Sequence, residues 1–212
     1  MAQSSKLKIT LLIVVVAVVA VFAAKSFLWK GEIGSSSAFR QKGNAQAPVK
    51  IVEYVDLQCP ACAYGSLQIE NYLQLYPEKI FVEIKFYPLG MHVHSLIATK
   101  FALCAGRAGQ FWPFFETVMA NQKQWISLMD AQPAFLQIVE DIGLNKNDVI
   151  ACTVQDELRT NILTEKDAGS ALGIKSTPTY FINGKMIVGV KEMMEEVDRI
   201  LGVKTTPITV AQ

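Results

Sequence analysis

Two cysteines separated by two residues, in the run Cys59-Pro60-Ala61-Cys62, are the most chemically capable groups in the chain. The segment before them, Val49 to Leu57 (VKIVEYVDL), is β-rich and apolar on both faces, as a central parallel strand should be. The segment after them, Pro60 to about Tyr76, has helical spacing, with Ala63, Leu67, Tyr72, Leu75 and Tyr76 apolar or aromatic, and Pro77 ends it. Cys59 therefore falls at a strand-to-helix junction, where free backbone N–H groups and the helix dipole stabilise a thiolate. Such placement lowers a cysteine pKa from about 8.5 into the range of roughly 3.5–7.5. Pro60 suits the first helical turn, where its missing N–H is no loss. Cys62, three residues on, shares the helix face and can bridge to Cys59. These residues predict Cys59 as an exposed nucleophile, Cys62 as a more buried resolving thiol, and a cycle through a mixed disulfide.

A CxxC alone also fits half a zinc knuckle or a surface disulfide. Zinc calls for a second close pair, whereas Cys104 and Cys152 lie far apart. His92 and His94 could complete a site with Cys59 and Cys62 only in an unusual fold. The simpler reading makes His94 a helix-opening residue and His92 a loop residue, and no metal or cofactor is implied. Glu53 sits six residues before Cys59 among Val52, Tyr54 and Val55. Buried beneath the sulfurs, its carboxyl would have a raised pKa and could take the Cys62 proton. The plainer alternative is a solvated strand position paired with a lysine. Asp56 reads as an exposed neighbour. Cys104 and Cys152 are either bridged, closing a loop of about fifty residues worth roughly 3–4 kcal/mol, or two buried free thiols.

Beyond this junction, Lys79 to Tyr87 (KIFVEIKFY) alternates as a strand and completes a β-α-β unit. Residues 90–172 are helical in pattern, with helices near 94–106, 110–121, 132–142, 146–152 and 155–172, broken at Gly106, Gly109, Gly143 and Gly173. The aromatic cluster Phe111, Trp112, Phe114 and Phe115 reads as core between this block and the sheet. Met91 is a candidate for a groove on the active-site side. Thr179 to Ile182 and Lys185 to Val188 form a hairpin around Asn183-Gly184. Lys191 to Leu201 closes the domain as an amphipathic helix whose Glu192, Glu195 and Glu196 read as a solvated face. The fold class is α/β: a β-α-β and β-β-α frame split by an all-helical insertion and preceded by an N-terminal hydrophobic helix. In domain terms, residues 1–30 are an anchor or signal segment, 31–47 a small, polar linker, 48–202 the folded domain, and 203–212 a frayed tail.

Hydrophobic residues make up 51% of the 212 and charged residues 18%, ample for a core. Residues 1–44 carry six Lys/Arg and one Glu, or +5; residues 45–212 carry 14 Lys/Arg and 18 Asp/Glu, or −4. The mildly acidic domain argues against nucleic acid as a partner. The basic charge flanks Ile9 to Ala24, sixteen residues without a charge. With Phe27, Leu28 and Trp29 extending it, the stretch reads as an uncleaved anchor at residues 7–29, N-terminus inside. Cleavage as a signal peptide after Ala23 is the alternative. Either places the domain outside the cytoplasm, in the periplasm or on the outer face of the cytoplasmic membrane, where disulfides persist.

Four stretches together, IVEYVDLQCPAC (51–62), ALCAGRAGQFW (102–112), ACTVQDE (151–157) and STPTYFINGK (176–185), resemble the thioredoxin superfamily and, within it, the DsbA-like disulfide oxidoreductases. The resemblance covers about residues 48–201 and is closest to the branch with a short N-terminal membrane or signal segment. It implies a thioredoxin fold and a cis-proline at Pro178 facing the CxxC. The backbone of Thr177 would be free to pair with an extended substrate strand. The residues alone also allow a trans proline starting an edge strand. The resemblance further implies an acid at Glu53 serving the cysteines, a Cys104–Cys152 bridge, reduced exported proteins as substrates, and an integral membrane redox partner. Strongly oxidising relatives carry a histidine after the proline. Ala61 stands there instead, so the likeness carries the reaction class and not an extreme oxidising power. Reductase, isomerase and a noncatalytic peptide-binding chaperone are the competing functions. Isomerases of the superfamily usually carry a separate dimerisation domain, for which residues 1–47 are too few.

Overall fold

A run of apolar residues on both faces commits Val49–Val55 (β2) to the middle of a sheet. In the computed structural model, which describes residues 38–208, β2 is third of five strands. The elements follow in the order β1 (Gln41–Gly43), β2, α1 (Pro60–Leu75), β3 (Ile80–Phe86), six helices, β4 (Thr179–Ile182), β5 (Lys185–Val188) and α8 (Val190–Leu201). The six helices are α2 (Ser95–Arg107), α3 (Phe111–Ala120), α4 (Gln122–Trp125), α5 (Gln132–Asp141), α6 (Lys146–Thr153) and α7 (Asp156–Ala171). The sheet runs β1-β3-β2-β4-β5; only β2 and β3 are parallel, and every other pair is antiparallel. The expected β-α-β, helical block and β-β-α order is present, with helix ends within about two residues of their expected positions. The apolar segment at residues 7–29 lies outside the described residues. Among the described residues, no helix is long and apolar enough to cross a membrane.

Two boundaries differ from expectation. The linker assigned to residues 31–47 is folded from Phe39 onward. β1 pairs with β3, Phe39 packs on Phe111 at 5.5 Å between ring centroids, and Arg40 makes a two-pronged ion pair with Glu165 at 2.8 Å. The segment's small and polar composition conceals this because its partners lie forty or more residues away. The tail read as frayed is docked through Ile208: its backbone exchanges two hydrogen bonds with the side-chain amide of Gln68 on α1, and Thr205 N–H donates to Asp198. Residues 209–212 lie outside the described residues.

The helical block packs as one apolar body. Phe101, Phe111, Phe114, Trp125 and Phe135 are almost fully buried, and Phe111 also meets Phe86 of β3. Trp112 is only partly buried and donates from its indole N–H to the Gln41 carbonyl. Cys104 on α2 and Cys152 on α6 are joined by a disulfide, so the free-thiol alternative is set aside. Glu196 is not solvated as expected: it is largely buried and takes hydrogen bonds from Arg199 and Lys185. At the hairpin, Asn183 (φ 50°) and Gly184 (φ 86°) occupy the left-handed region that a tight two-residue turn requires.

Helix α1 approaches β4 so closely that only glycine fits at position 65. A Cβ there would stand 2.2 Å from the Tyr180 hydroxyl oxygen. In an open helix Gly→Ala gains up to about 1 kcal/mol. Here the buried Tyr180 ring cannot swing aside, so the sign reverses. Gly65→Ala is expected to cost about 1–3 kcal/mol in urea unfolding. Adding Tyr180→Phe, which deletes the offending hydroxyl, should recover most of that loss; no recovery would place the cost elsewhere.

Candidate active site

The turn between β2 and α1 carries the reactive pair. Cys59 is the N-cap of α1 with extended backbone (φ −79°, ψ 119°), and Pro60 occupies the first helical position. The carbonyl of Cys59 accepts from Cys62 N–H at 3.0 Å and Ala63 N–H at 3.2 Å, closing the first turn. Both sulfurs are free thiols, but they are unequal. Cys59, expected to be exposed, is buried with 7% exposure left at the strand-to-helix turn, and Cys62 has none.

Electrostatics separates them further. The Cys59 pKa is lowered to about 6, first by a hydrogen bond from the Cys62 thiol, against the opposing effect of burial. The N–H groups of Cys62 and Ala61 assist. Burial pushes the Cys62 thiol well above its ordinary range, and the neighbouring Cys59 and Glu53 push it the same way. At neutral pH the pair is thus one thiolate and one thiol, with the thiolate on the accessible side.

Across from the pair, the Thr177-Pro178 peptide bond is cis, and the Thr177 carbonyl lies 3.5 Å from the Cys59 sulfur. Glu53 lies beneath, fully buried on β2 and in register with Tyr180 of β4. The solvated alternative for Glu53 therefore fails. Burial raises its pKa to about 8; a hydrogen bond from Ser66 opposes this, and the Cys59 charge adds to it. The Ser66 hydroxyl stands 3.5 Å from both carboxyl oxygens. The structure thus brings Cys59, Pro60, Ala61, Cys62, Glu53, Thr177 and Pro178 to one place. It leaves Cys104 and Cys152 in the helical block, where a groove of about 300 Å³ runs beside their bridge.

Sequence reasoning missed a polar shell around the turn. Asp56, read as exposed, is completely buried. Its carboxylate accepts from Gln58 N–H at 2.8 Å and Leu89 N–H at 2.7 Å, and pairs with the His92 ring at 2.8 Å. Gln58 in turn accepts from His94 N–H and donates to the Ile126 carbonyl. The Gln122 amide donates to the carbonyls of Leu57 and Cys59. His94 stands at the N-cap position of α2 as expected, but its ring makes no capping hydrogen bond and meets the Leu128 carbonyl instead. Met91 stands 80% exposed on the same loop as His92. The available signal was two polar residues, Asp56 and Gln58, interrupting an apolar run just before the cysteines.

The buried acid has a measurable signature. The native Glu53 carboxyl holds its proton to about pH 8, whereas the unfolded one releases it near 4.5. Its contribution to stability is therefore full below pH 4.5 and is lost as pH rises through 8. Urea unfolding in a Cys59→Ala background, which removes the coupled thiolate, should show stability falling across this window relative to the same background carrying Glu53→Gln. Parallel pH curves would refute a raised acid.

Comparisons with known proteins agree with the geometry. The Na(+)/H(+) antiporter NhaA 3 of Salinispora tropica is 26% identical over 145 residues, 68% of this chain but 21% of that protein. The chain thus spans about a fifth of the length of the antiporter relatives it matches. Probable disulfide bond formation protein D of Bacillus cereus is 23% identical over 166 residues, 73% of this chain and 74% of that protein. Oxidised BdbD from Bacillus subtilis superposes with a TM-score of 0.67 at 17% identity, covering 79% of this chain and 94% of that one. A protein named for disulfide bond formation is thus among the chain's relatives, and Wolbachia pipientis alpha-DsbA1, with a TM-score of 0.66 at 20% identity over 77% of this chain and 90% of that one, shares its fold. Residues 37–202 match the family model described as thioredoxin, so the sheet, the cysteine turn and the opposing cis-proline are those of a chain that belongs to the thioredoxin family.

Proposed function

We propose that the protein is an extracytoplasmic thiol-disulfide oxidoreductase that introduces disulfides into reduced exported proteins. The observation that carries the reading is the inequality of the two sulfurs: a lowered, reachable Cys59 at a helix N-terminus and a raised, buried Cys62. The chemistry follows from it. In the oxidised form a substrate thiolate attacks the Cys59 sulfur, the Cys59–Cys62 bond breaks, and its electron pair leaves on Cys62. That sulfur has a high proton affinity and takes a proton from the adjacent Glu53 acid. A second substrate thiolate attacks the substrate sulfur of the mixed disulfide, and Cys59 departs as a low-pKa thiolate, a good leaving group. The substrate has lost two electrons and gained a disulfide, and the enzyme holds the electrons as a thiolate and a thiol. Glu53 recovers its proton when the pair is reoxidised. Pro178 offers no N–H beside the sulfurs, and Thr177 offers backbone groups to an extended substrate.

The Cys104–Cys152 bridge supports an oxidising compartment. The apolar segment at residues 7–29, flanked by lysines, supports tethering to the outer face of the cytoplasmic membrane with the N-terminus inside. An integral membrane protein would then reoxidise the pair. One observation favours reductase as the second reading: Ala61 brings no polar side chain to the thiolate.

Two measurements test this. Cys62→Ala should accumulate a mixed disulfide when given a disulfide-bonded peptide, its Cys59 thiolate displacing one peptide thiol, and Cys59→Ala should form none; trapping by Cys59→Ala would overturn the assignment. Equilibration with glutathione should give a reduction potential on the oxidising side, toward about −120 mV; a value near roughly −270 mV would make the protein a reductant.

A further inference from the structure

We propose that Asp56 is a positioning residue for thiol-disulfide exchange, its buried carboxylate clasping the turn that presents Cys59 to the loop at residues 89–92. The inference rests on Cys59 being the nucleophile and adds a residue to its machinery. Every polar part of Asp56 is committed to this junction. Its carbonyl accepts the N–H of Cys59 itself at 3.0 Å. Its own N–H also favours the charged form of Cys62 against the effect of burial. Its carboxylate, with no exposure, holds Gln58 N–H in a local turn and reaches across to Leu89 N–H and His92. One residue thus holds the backbone of Cys59 and ties its turn to a loop 33 and 36 residues further along.

An uncompensated buried carboxylate is strongly disfavoured. Here two N–H donors and an imidazole satisfy it, so the charge is stable only while the turn and the loop remain together. The thiolate at Cys59 is held first by the Cys62 thiol and then by the N–H groups of Cys62 and Ala61, and such hydrogen bonds weaken steeply with misalignment. Releasing the clasp frees the turn that aims them. Displacement of a reacting group by about 1 Å costs on the order of a hundredfold in rate.

The experiment compares full-length wild type, Asp56→Ala, Asp56→Asn and His92→Ala by thiolate absorbance against pH and by the rate of exchange with a cysteine-containing peptide. Asp56→Ala is expected to raise the Cys59 titration toward its ordinary range and to slow exchange by roughly 10- to 100-fold. Asp56→Asn keeps an acceptor for the two backbone donors and should recover part of both effects. His92→Ala removes only the outer, partly exposed arm of the clasp, so it should fold and shift both readouts the same way by less. If Asp56→Asn and His92→Ala melt cooperatively with the wild-type Cys59 titration and exchange rate, the residue is only structural and the proposal falls. If the wild type itself fails to exchange, the oxidoreductase reading falls first and takes this one with it.

Discussion

A single sulfur must hold a negative charge at the mouth of a helix while a second sulfur, one helical turn away, stays dry and protonated. The rest of the structure serves that inequality. The charged sulfur needs free N–H groups, which only a helix start supplies without added side chains. The neutral sulfur needs exclusion of water, which the sheet beneath and the helical block above supply. Gly65 lets α1 settle closely on β4, and the roof of aromatic side chains from α2, α3 and α5 closes the other side.

Two carboxylates three residues apart, one on β2 and one just past its end, are treated in opposite ways. Asp56 is met by three nitrogen partners, so its oxygens are satisfied without water. Glu53 has a single side-chain donor among the described residues, the Ser66 hydroxyl at the limit of hydrogen-bonding distance, and so retains its proton. Satisfied charge gives shape; unsatisfied charge gives a group that titrates near the working pH. Burial alone does not distinguish the two, since both are inaccessible. The supply of donors does.

Much of the fold was legible because it is written locally. The double-faced apolar run of β2, the alternation of β3 and the Asn183-Gly184 turn each lie within a few residues of the feature they specify. Cys59 and Cys62 announced their chemistry by spacing and by their place after a strand. Pro178 was legible only through resemblance, since nothing in its neighbours requires a cis bond. What escaped was non-local. Phe39 and Arg40 look like linker residues until Phe111 and Glu165 are brought beside them. Asp56 looks solvated because its cross-loop partners, Leu89 and His92, lie beyond any window of periodicity. The short helix α4 is one turn long and carries no repeat from which to read it, although its Gln122 braces the carbonyls on either side of Gln58.

The Thr177 carbonyl that meets the Cys59 sulfur lies 118 residues downstream of it. A nascent chain that has emerged as far as Thr153 already carries all four cysteines, yet it lacks β4, the proline opposite the pair, and the strand that covers Glu53 on one side. During vectorial synthesis the protein therefore passes through a stage at which its thiols are available to others before they have acquired any selectivity of their own. The order of events along the chain places the closing of the Cys104–Cys152 loop within reach before the redox pair is assembled, so the scaffold can be stapled before the tool it holds is complete.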